Sequence, residues 1–553
     1  MALWSFSPLT YGLGLLALAF STALFMLVTD IAKWRRMPPG PTPLPFIGNN
    51  LDLPKKAPWI KFQEWSKRYG PIYTVWIGRR PTVIVSDPNV AVELLEKRSI
   101  KYSSRPRMVV MGEIYWDMAS VLVQPYGKEW QVRRRLLHQA LTPSALRLYK
   151  PIQEAEASRL VYGLLDSPSV WEKSFERFTA SIVFSIAYGH RIDSLESETI
   201  LQRMRFMHFA ASLNVPGKYL VESLPFLKHV PNVIAPWKTA IQEMGYEEAS
   251  VNMALVDDVK QDIAHARATG EEAPASLTKL LLDAQEKQPV PLSERDFSFI
   301  PASLFGAGAD TTASTLCSAM LAFITHPHAL KKAQEELDTV IGRDRTPNFN
   351  DEANLPYVRA LVKEVLRWRP VAVLGGTPHA STEDDVYEGY YIPAGTTVLG
   401  NTWAINLNEE YYPNPHVFDP SRFLGLDAAG DKPGDAEGRS HPSKSGHSSF
   451  GWGRRICPGA DLAANSLFIA LSKIMWAYDI SPIKGRQYDI FAYTDGFNIR
   501  PQTFQCEIKV RSDAHRAVLS SDMKQAERFL EKFSPFEKVH DGRKQARLAA
   551  GKH

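Results

Sequence analysis

The strongest constraint on how this chain folds lies in the segment FGWGRRICPG, residues 450–459. Its glycines permit backbone turns that side chains would block, and Phe450 can shield the sulfur of Cys457 from water. Arg454 and Arg455 add positive charge, which favours the thiolate, the form of cysteine that binds metals. Backbone N–H groups in such a turn can also point at an anion. The pattern predicts a ligating thiolate at Cys457. The alternative is a glycine-rich turn around a buried structural cysteine.

Composition indicates an ordinary globular protein, with 44% apolar and 22% charged residues in a chain of 553. The formal net charge of +4 is too small at this length to indicate nucleic-acid binding. Three cysteines make no disulfide framework, which favours a reducing compartment. Cys317 lies in an apolar helical run and Cys506 in a strand-like run, so we interpret both as small core residues.

The N-terminus contains one candidate membrane segment. Residues 9–28 carry no charge, and twenty residues as a helix span the ~30 Å core of a bilayer. A cleaved signal peptide is the alternative, with residues 17–19 as a processing site. Residues 1–8 lack Lys and Arg, however, whereas basic residues follow the apolar run at 33–36. The positive-inside rule then predicts an uncleaved single-pass anchor with the remainder of the chain in the cytosol.

The chain is predicted to divide into four parts. Residues 1–32 form the anchor and residues 33–45 a basic, proline-rich hinge, whose dense prolines favour a stiff extended segment. Residues 46–511 form the main domain. Residues 512–553 form a charged C-terminal extension, in which 515–533 are predicted to form one amphipathic helix and the basic end of the chain to be disordered.

A second organising element is the long apolar helix predicted over residues 297–325, which contains AGADTT at 307–312. Glycine in a helix interior destabilises it by ~1 kcal/mol against Ala, so such a site often marks the close approach of a ligand or a local opening of the helix. Thr311 can donate and accept a hydrogen bond, and Asp310 can carry protons. We therefore predict a catalytic pair. The alternative is a kinked helix whose polar residues face solvent.

Apolar segments elsewhere are candidates to form a ligand pocket. Residues 103–124 are irregular and rich in Met and aromatic side chains, which suit an adaptable apolar pocket. Phe206, Phe209 and Leu213 are further candidates. Packing in the protein core is the alternative for all of these residues.

A helix is predicted around residues 130–134. Trp130 and Arg134 are four positions apart and therefore share one face. Lys128, Arg133 and Arg135 are predicted to point elsewhere and to form a basic patch. This patch is either a solvated helix face or a docking surface for an acidic electron donor.

Glu364 and Arg367 lie three positions apart on a predicted helix, residues 355–369, that ends before Pro370. Exposed pairs of this kind contribute only a few tenths of a kcal/mol, about what surface salt bridges give. The segment FDPSRF at 418–423 follows farther along the chain.

These segments occur in an order that resembles the cytochrome P-450 family. The pattern Phe-x-x-Gly-x-Arg-x-Cys-x-Gly resembles the family's haem-thiolate loop, and AGADTT at 307–312 is similar to its oxygen-binding groove. The Trp-x-x-x-Arg, Glu-x-x-Arg and 418–423 segments follow the family's order between residues 38 and 510. The hinge and residues 398–405 are most similar to microsomal, class E members of fungal secondary metabolism.

The resemblance implies a mainly α fold with a small β region, preceded by one transmembrane helix. It places haem b between the helix of Thr311 and the loop of Cys457. The cysteine is then the axial ligand of the iron, a thiolate that favours O–O cleavage. The cofactor-binding residues that the resemblance implies are Trp130, Arg134, His379, Phe450, Arg455 and Cys457. The residues that it implies for a structural triad behind the loop are Glu364, Arg367 and Arg422.

The implied reaction inserts one atom of O2 into a hydrophobic small molecule, by hydroxylation or epoxidation, with proton delivery through Asp310 and Thr311. NADPH would supply electrons through cytochrome P-450 reductase, with a cytochrome b-type protein as a possible second donor. The implied location is the endoplasmic reticulum membrane, with the catalytic domain in the cytosol. Two alternatives stay open: an O2-independent rearrangement by the same fold, and a non-enzymatic haem-binding membrane protein.

Overall fold

The computed structural model describes residues 8–213, 218–288, 290–425 and 441–549, and these residues are mainly α-helical with three small sheets. The helices are α1 (Pro8–Trp34), α2 (Pro58–Tyr69), α3 (Pro88–Ala91), α4 (Ser99–Tyr102), α5 (Lys128–Gln139), α6 (Pro143–Asp166), α7 (Trp171–Tyr188), α8 (Glu198–Leu213), α9 (Leu220–Ser223), α10 (Pro236–Thr269), α11 (Leu277–Lys287), α12 (Glu294–Thr325), α13 (Pro327–Val340), α14 (Pro356–Trp368), α15 (Thr402–Asn406), α16 (Ala460–Ala477), α17 (Asp513–Leu530) and α18 (Phe536–Ala549). Single turns of π- or 3₁₀-helix are Val92–Lys97, Val109–Tyr115, Pro168–Val170, Pro225–His229, Asn232–Ile234, Phe349–Asn354, Pro420–Phe423 and Gly453–Arg455. The mainly α fold with a small β region is confirmed.

The strands are β1 (Ile72–Ile77), β2 (Arg80–Val85), β3 (His379–Ala380), β4 (Asp385–Tyr387), β5 (Tyr390–Ile392), β6 (Thr397–Gly400), β7 (Tyr478–Ser481) and β8 (Glu507–Val510). The largest sheet has the order β1-β2-β6-β3, with β2 and β6 parallel and the other neighbours antiparallel. Strands β4 and β5 pair with each other, as do β7 and β8. β3 is an edge strand of the large sheet, and its residue His379 lines the cavity described below.

Helix α12 runs through the core. Ser293 caps its N-terminus by accepting a hydrogen bond from the N–H of Asp296 at 3.1 Å, and Pro327 follows its last turn. Its residues beyond Thr312 are buried on all sides, which is typical of a helix inside a large core. It packs against α7, α10, α14 and α16. Burial of each large apolar side chain contributes about 1.5–3 kcal/mol, so the helix holds its central polar stretch rigidly in place.

Helix α16 begins three residues after Cys457 and is buried from Ser466 to its end. It packs against α6, α12 and α14. Because the loop runs directly into a buried helix, the position of the cysteine is fixed from behind.

The C-terminal extension packs onto the main body of the protein. The predicted amphipathic helix is confirmed as α17, which lies along α6. The expectation of disorder at the end of the chain is wrong for residues 542–549, because they continue α18. The side chain of Phe536 is 1% exposed, and its ring centroid lies 4.6 Å from that of Phe184 in the main core. Leu519 and Leu530 of α17 are buried to the same extent, so these apolar side chains together dock a segment whose composition is otherwise charged.

Near the N-terminus, the hinge lies against the sheet. Among the described residues, one helix (Gly12–Trp34) is long and apolar enough to cross a membrane. At its end, Asp30 pairs with Arg79 in the β1–β2 turn at 2.6 Å. The N–H of Thr74 donates to Pro39 O at 2.9 Å, and a Cβ on Gly40 would come within 1.9 Å of Thr74 O. The close approach requires glycine, and the hinge is attached to β1.

Candidate active site

The cysteine loop forms a tight turn. The N–H of Cys457 donates to Phe450 O at 2.8 Å. Gly453 has a φ of 54°, and a Cβ there would lie 2.1 Å from Leu95 O, so this position requires glycine for both its conformation and its space. Cys457 and Phe450 both line a cavity of about 760 Å³ between the loop and α12.

The opposite wall of this cavity is the central stretch of α12. Ala307, Asp310 and Thr311 all line it, so the predicted groove faces the cysteine loop. Gly308 has a second role, because a Cβ there would lie 2.5 Å from a methyl group of Val183 on α7. Its small size therefore serves helix packing, while Gly306, with no such neighbour, leaves room on the cavity side.

Thr311 and Asp310 make contacts that suit proton transfer. The hydroxyl of Thr311 donates to Ala307 O, one turn earlier, at 2.8 Å. Asp310 Oδ2 accepts from Asn498 Nδ2 at 3.5 Å, a long bond. Arg500 also lines the cavity and pairs with Glu176 at 2.6 Å. The alternative that these polar residues face bulk solvent is excluded, because they face the cavity.

Three arginines converge on the same cavity. Arg105, Arg134 and Arg455 all line it, and among the described residues no carboxylate pairs with any of them. Burial and the charges of its two neighbours lower the pKa of Arg455 to about 8. Burial and Arg134 lower the pKa of Arg105 to about 9. Burial also lowers the pKa of Arg134. The cluster therefore favours binding of an anion.

Each guanidinium is held in place by backbone carbonyls. Arg105 Nη1 donates to Thr377 O at 2.6 Å and to Pro378 O at 3.0 Å. Arg455 Nε donates to Ser103 O at 2.7 Å, and its Nη2 donates to Gln124 O at 2.6 Å. Sequence reasoning missed Arg105, because it lies in a loop without a motif and reaches the site only through the fold.

His379 and Trp130 complete the wall beside the arginines. His379 is buried, and its Nδ1 lies 2.8 Å from Tyr102 O. Burial and the charge of Arg105 lower its pKa to about 3, and the imidazole is neutral, with the proton on Nδ1. Trp130 is buried, and the Arg455 guanidinium lies 4.2 Å from the centre of its ring.

The basic patch predicted on α5 is partly wrong. Lys128 and Arg135 are exposed, as expected. Arg133 is only 5% exposed, and it pairs with Asp296 at 2.6 Å. A buried guanidinium requires a partner, and this one lies on α12, far away in the sequence.

The electrostatics of Cys457 differ from the prediction. Burial raises the pKa of the Cys457 thiol, although the Gly459 N–H and the charge of Arg134 act in the opposite direction. Arg454, expected to help, is exposed and donates to Ser99 Oγ. The protein alone therefore favours the thiol, and a bound metal would deprotonate it outright.

The buried pair Glu364–Arg367 supports the loop from behind. Both residues are fully buried, with bonds of 2.6 and 2.7 Å between guanidinium and carboxylate. Arg422 Nε lies 3.7 Å from Glu364 Oε1, close enough for a charge contact but too far for a hydrogen bond. The backbone N–H of Asp419 donates to Glu364 Oε1 at 2.9 Å, which provides a fourth polar partner. Ser449, just before the loop, donates to Leu366 O at 2.7 Å and joins the loop to this helix.

The remaining walls are largely apolar. Phe206 lines the cavity, whereas Phe209 packs against Tyr115 with ring centroids 5.3 Å apart. Leu213 is buried in the same apolar cluster as Phe209. Of the predicted pocket loop, Met111 and Trp116 face the cavity. Residues 425–449 are rich in Gly, Asp, Ser and Lys, which predicts a surface loop before the cysteine, and 426–440 of them lie outside the described residues.

The side chains that line the cavity fit iron protoporphyrin IX. A cysteine sulfur faces a flat groove of small residues, and three arginines without acidic partners suit the two carboxylates of that cofactor. The fold and this site define a haem-thiolate enzyme.

The chain belongs to the cytochrome P-450 family, whose model matches residues 38–508. It is 37% identical over 521 residues to cytochrome P-450 monooxygenase 58 of Postia placenta, covering 93% of this chain and 96% of that protein. It is 34% identical over 520 residues to the cytochrome P-450 monooxygenase verL of Clonostachys rogersoniana, covering 91% and 92%. The predicted family and the predicted class of enzyme, a monooxygenase, are thereby confirmed.

Proposed function

We propose that this monooxygenase inserts one atom of O2 into a neutral, hydrophobic small molecule of secondary metabolism, by hydroxylation or epoxidation. The observation that carries the proposal is that Asp310 and Thr311 face Cys457 across one cavity. An O2-independent rearrangement needs no proton-relaying alcohol, and a non-enzymatic haem carrier needs neither side chain. These two residues therefore favour the monooxygenase over both alternatives.

The residues around the cavity each have a role in holding the cofactor. Cys457 Sγ would bind the iron, and Phe450 would cover the sulfur. The guanidinium groups of Arg105, Arg134 and Arg455 would bind the cofactor's carboxylates, beside His379 and Trp130. When bound, haem would supply the activation of O2, and the thiolate would push electron density onto the iron and favour cleavage of the O–O bond.

The proton path begins at Asp310, where residues 498–500 meet the cavity wall formed by α12. Asp310 contacts Asn498, and Arg500 beside it pairs with Glu176, which is partly exposed. We propose that the Asp310 carboxylate takes up a proton from this side and that the Thr311 hydroxyl, by rotating away from Ala307 O, passes one into the cavity.

Electrons come from NADPH through cytochrome P-450 reductase, with a cytochrome b-type protein as an alternative donor. Lys128 and Arg135 are exposed on α5, the helix that also carries Trp130 and Arg134. An acidic donor docked on this face would therefore lie one helix away from the cofactor site, and its approach would be steered by charge.

The location proposed is the endoplasmic reticulum membrane, with α1 as a single anchor and the catalytic domain in the cytosol. Deleting residues 1–33 is expected to reduce membrane association while the haem spectrum stays unchanged. Detection of a processed N-terminus within α1 in cells would contradict the anchor and favour a signal peptide.

The test of the function is Thr311→Ala in the haem-loaded enzyme. Haem content, the ferrous–CO spectrum and substrate affinity should stay near those of the wild type. General acid catalysis typically contributes about 10²–10⁴-fold, so product formed per NADPH should fall clearly while hydrogen peroxide rises.

Thr325→Ala is the matched control, because this hydroxyl also bonds to its own helix, at Leu321 O, but lies at the far end of α12. Full coupling in Thr311→Ala would show that this threonine is only structural. Product formation by the wild type without O2 or NADPH would replace the monooxygenase with the rearrangement.

A further inference from the structure

A polar cluster lies on the cavity wall near the start of α12, away from the cysteine loop. Arg203 on α8 and Glu248 on α10 both line the cavity. Arg203 is 2% exposed. Its Nη1 bonds to Asn252 Oδ1, and its Nη2 donates to Ala302 O at 3.2 Å. An arginine buried this deeply in an apolar wall requires an explanation.

The cluster is incompletely bonded. Glu248 Oε2 accepts from Trp116 Nε1 at 2.9 Å, but Glu248 Oε1 lies 3.8 Å from Arg203 Nη1, beyond hydrogen-bond distance. The hydroxyl of Tyr115 also lies beside Glu248. A guanidinium and a carboxylate that both line the cavity, but stand too far apart to bond to each other, are what a site for a small bridging polar group presents.

The charges of Arg203 and Glu248 determine which chemical group of a ligand can bind to them. Arg203 and Glu248 neutralise each other, so an ionised ligand would leave an uncompensated charge in a buried place. A hydroxyl satisfies both residues, because its oxygen accepts from the guanidinium and its hydrogen is donated to the carboxylate. We propose that Arg203 and Glu248 recognise a neutral hydroxyl group of the substrate. This assignment rests on the proposed function and names the substrate class for it.

The position of the pair on α12 gives the length of the substrate. Arg203 contacts Ala302, which lies five residues before Ala307 and nine before Thr311. At 1.5 Å per residue, the hydroxyl lies roughly 8–13 Å along the helix from the groove where oxidation occurs. The substrate is therefore an apolar skeleton of tricyclic or tetracyclic length, with an alcohol at the end remote from the oxidised carbon.

Close packing holds the pair in place. A Cβ on Gly245 of α10 would lie 2.1 Å from Tyr115 O, so glycine brings α10 directly against the segment before Trp116. This contact fixes Trp116 relative to Glu248 one turn later. The site is therefore preformed, and a ligand gains affinity without ordering it.

The test uses haem-loaded, full-length protein and three probes: androstane, its terminal alcohol and the corresponding terminal carboxylic acid. Dissociation constants come from the spin-state change of the haem absorbance, without NADPH or O2. Because hydrogen bonds to charged groups are the strong ones, the alcohol should bind roughly 10-fold or more tightly than the hydrocarbon, and the acid should bind worst. Glu248→Gln keeps the shape of the side chain and an acceptor for Trp116, but it leaves the charge of Arg203 without its carboxylate. The carboxylic acid should therefore bind roughly 10-fold or more tightly to this variant than to the wild type.

Two further variants complete the test. The double variant Arg203→Met/Glu248→Gln, which removes both charges, should lose the preference for the alcohol while still binding the hydrocarbon. Ser303→Ala is the matched control on the same wall, because its hydroxyl is already bonded to Phe299 O at 2.6 Å, and it should keep the wild-type order.

Equal affinity of the wild-type protein for alcohol and hydrocarbon would overturn the proposal and make the pair structural. Binding of none of the three probes would also overturn it, because the spacing along α12 sets the skeleton length. Failure of the monooxygenase proposal would appear in product formation instead and would leave these titrations unchanged.

Discussion

Replacing Phe536 by Ala tests whether the C-terminal extension is part of the folded core. The side chain is 1% exposed and packs edge-on against Phe184. Removing a fully buried phenylalanine typically costs about 3–5 kcal/mol, the sum of lost transfer energy and the cavity left behind. The loss cannot exceed the free energy that docks α18, because beyond that value the helix would detach. A hydrogen bond between His540 Nδ1 and Asp258 Oδ2 at 2.9 Å and an ion pair between Arg543 and Asp262 also hold the helix, so we expect most of the loss to be observed.

The measurement is urea unfolding of the haem-loaded enzyme, followed by its ferrous–CO spectrum, together with limited proteolysis of the C-terminus. Phe491→Ala is the matched control, because that side chain is 48% exposed and its loss should cost less than about 1 kcal/mol. The reasoning is refuted if the two variants unfold at the same urea concentration and the protease removes the extension equally fast from wild type and Phe536→Ala.

Two further predictions concern buried charge. Glu364→Ala should cost about 3–5 kcal/mol of stability and much of the haem-loaded yield, because it leaves the fully buried Arg367 without its carboxylate. The control is Glu409→Ala, which removes an exposed ion pair and should be nearly neutral. Acid should also destabilise the loop before the cysteine: burial lowers the pKa of His447 to about 3 and that of His441 to about 4, and each accepts a backbone N–H at Nδ1. Both folded-state pKa values lie below the ordinary 6.5, so the stabilisation that the neutral histidines give the fold is complete above pH 6.5 and is lost as pH falls towards 4 and 3. His447→Gln should therefore move the acid midpoint of haem loss to lower pH. An unchanged midpoint would contradict this prediction.

The features that the sequence predicted correctly depend on residues that are close together in the chain. The turn around Cys457 is set by its own glycines, and the small residues near Thr311 fall within one helix. Glu364 and Arg367 meet because they are three residues apart on one helix. In each case the residues that create the geometry are also neighbours in the chain, and a short pattern therefore contains the information.

The features that the sequence predicted wrongly or missed each depend on a partner that is distant in the sequence. Arg133 is buried because Asp296, on another helix, neutralises it. Arg105 joins the site through carbonyls of residues 377 and 378. The C-terminal extension was predicted as a charged segment, but its Leu519, Leu530 and Phe536 side chains, each 1% exposed, dock it onto the main body of the protein. A count of charges along a segment does not reveal such anchors.

Helix α10 has a consequence for how long a ligand stays bound. It carries Glu248 on the cavity wall and, 10 to 14 residues later, Asp258 and Asp262, which hold the C-terminal helix through His540 and Arg543. At 1.5 Å per residue the two sites are about 15–21 Å apart on one rigid rod. The same helix therefore forms part of the cavity wall and holds the C-terminal helix. We expect a variant that detaches α18 to change the dissociation rate of a bound substrate more than it changes the ferrous–CO spectrum.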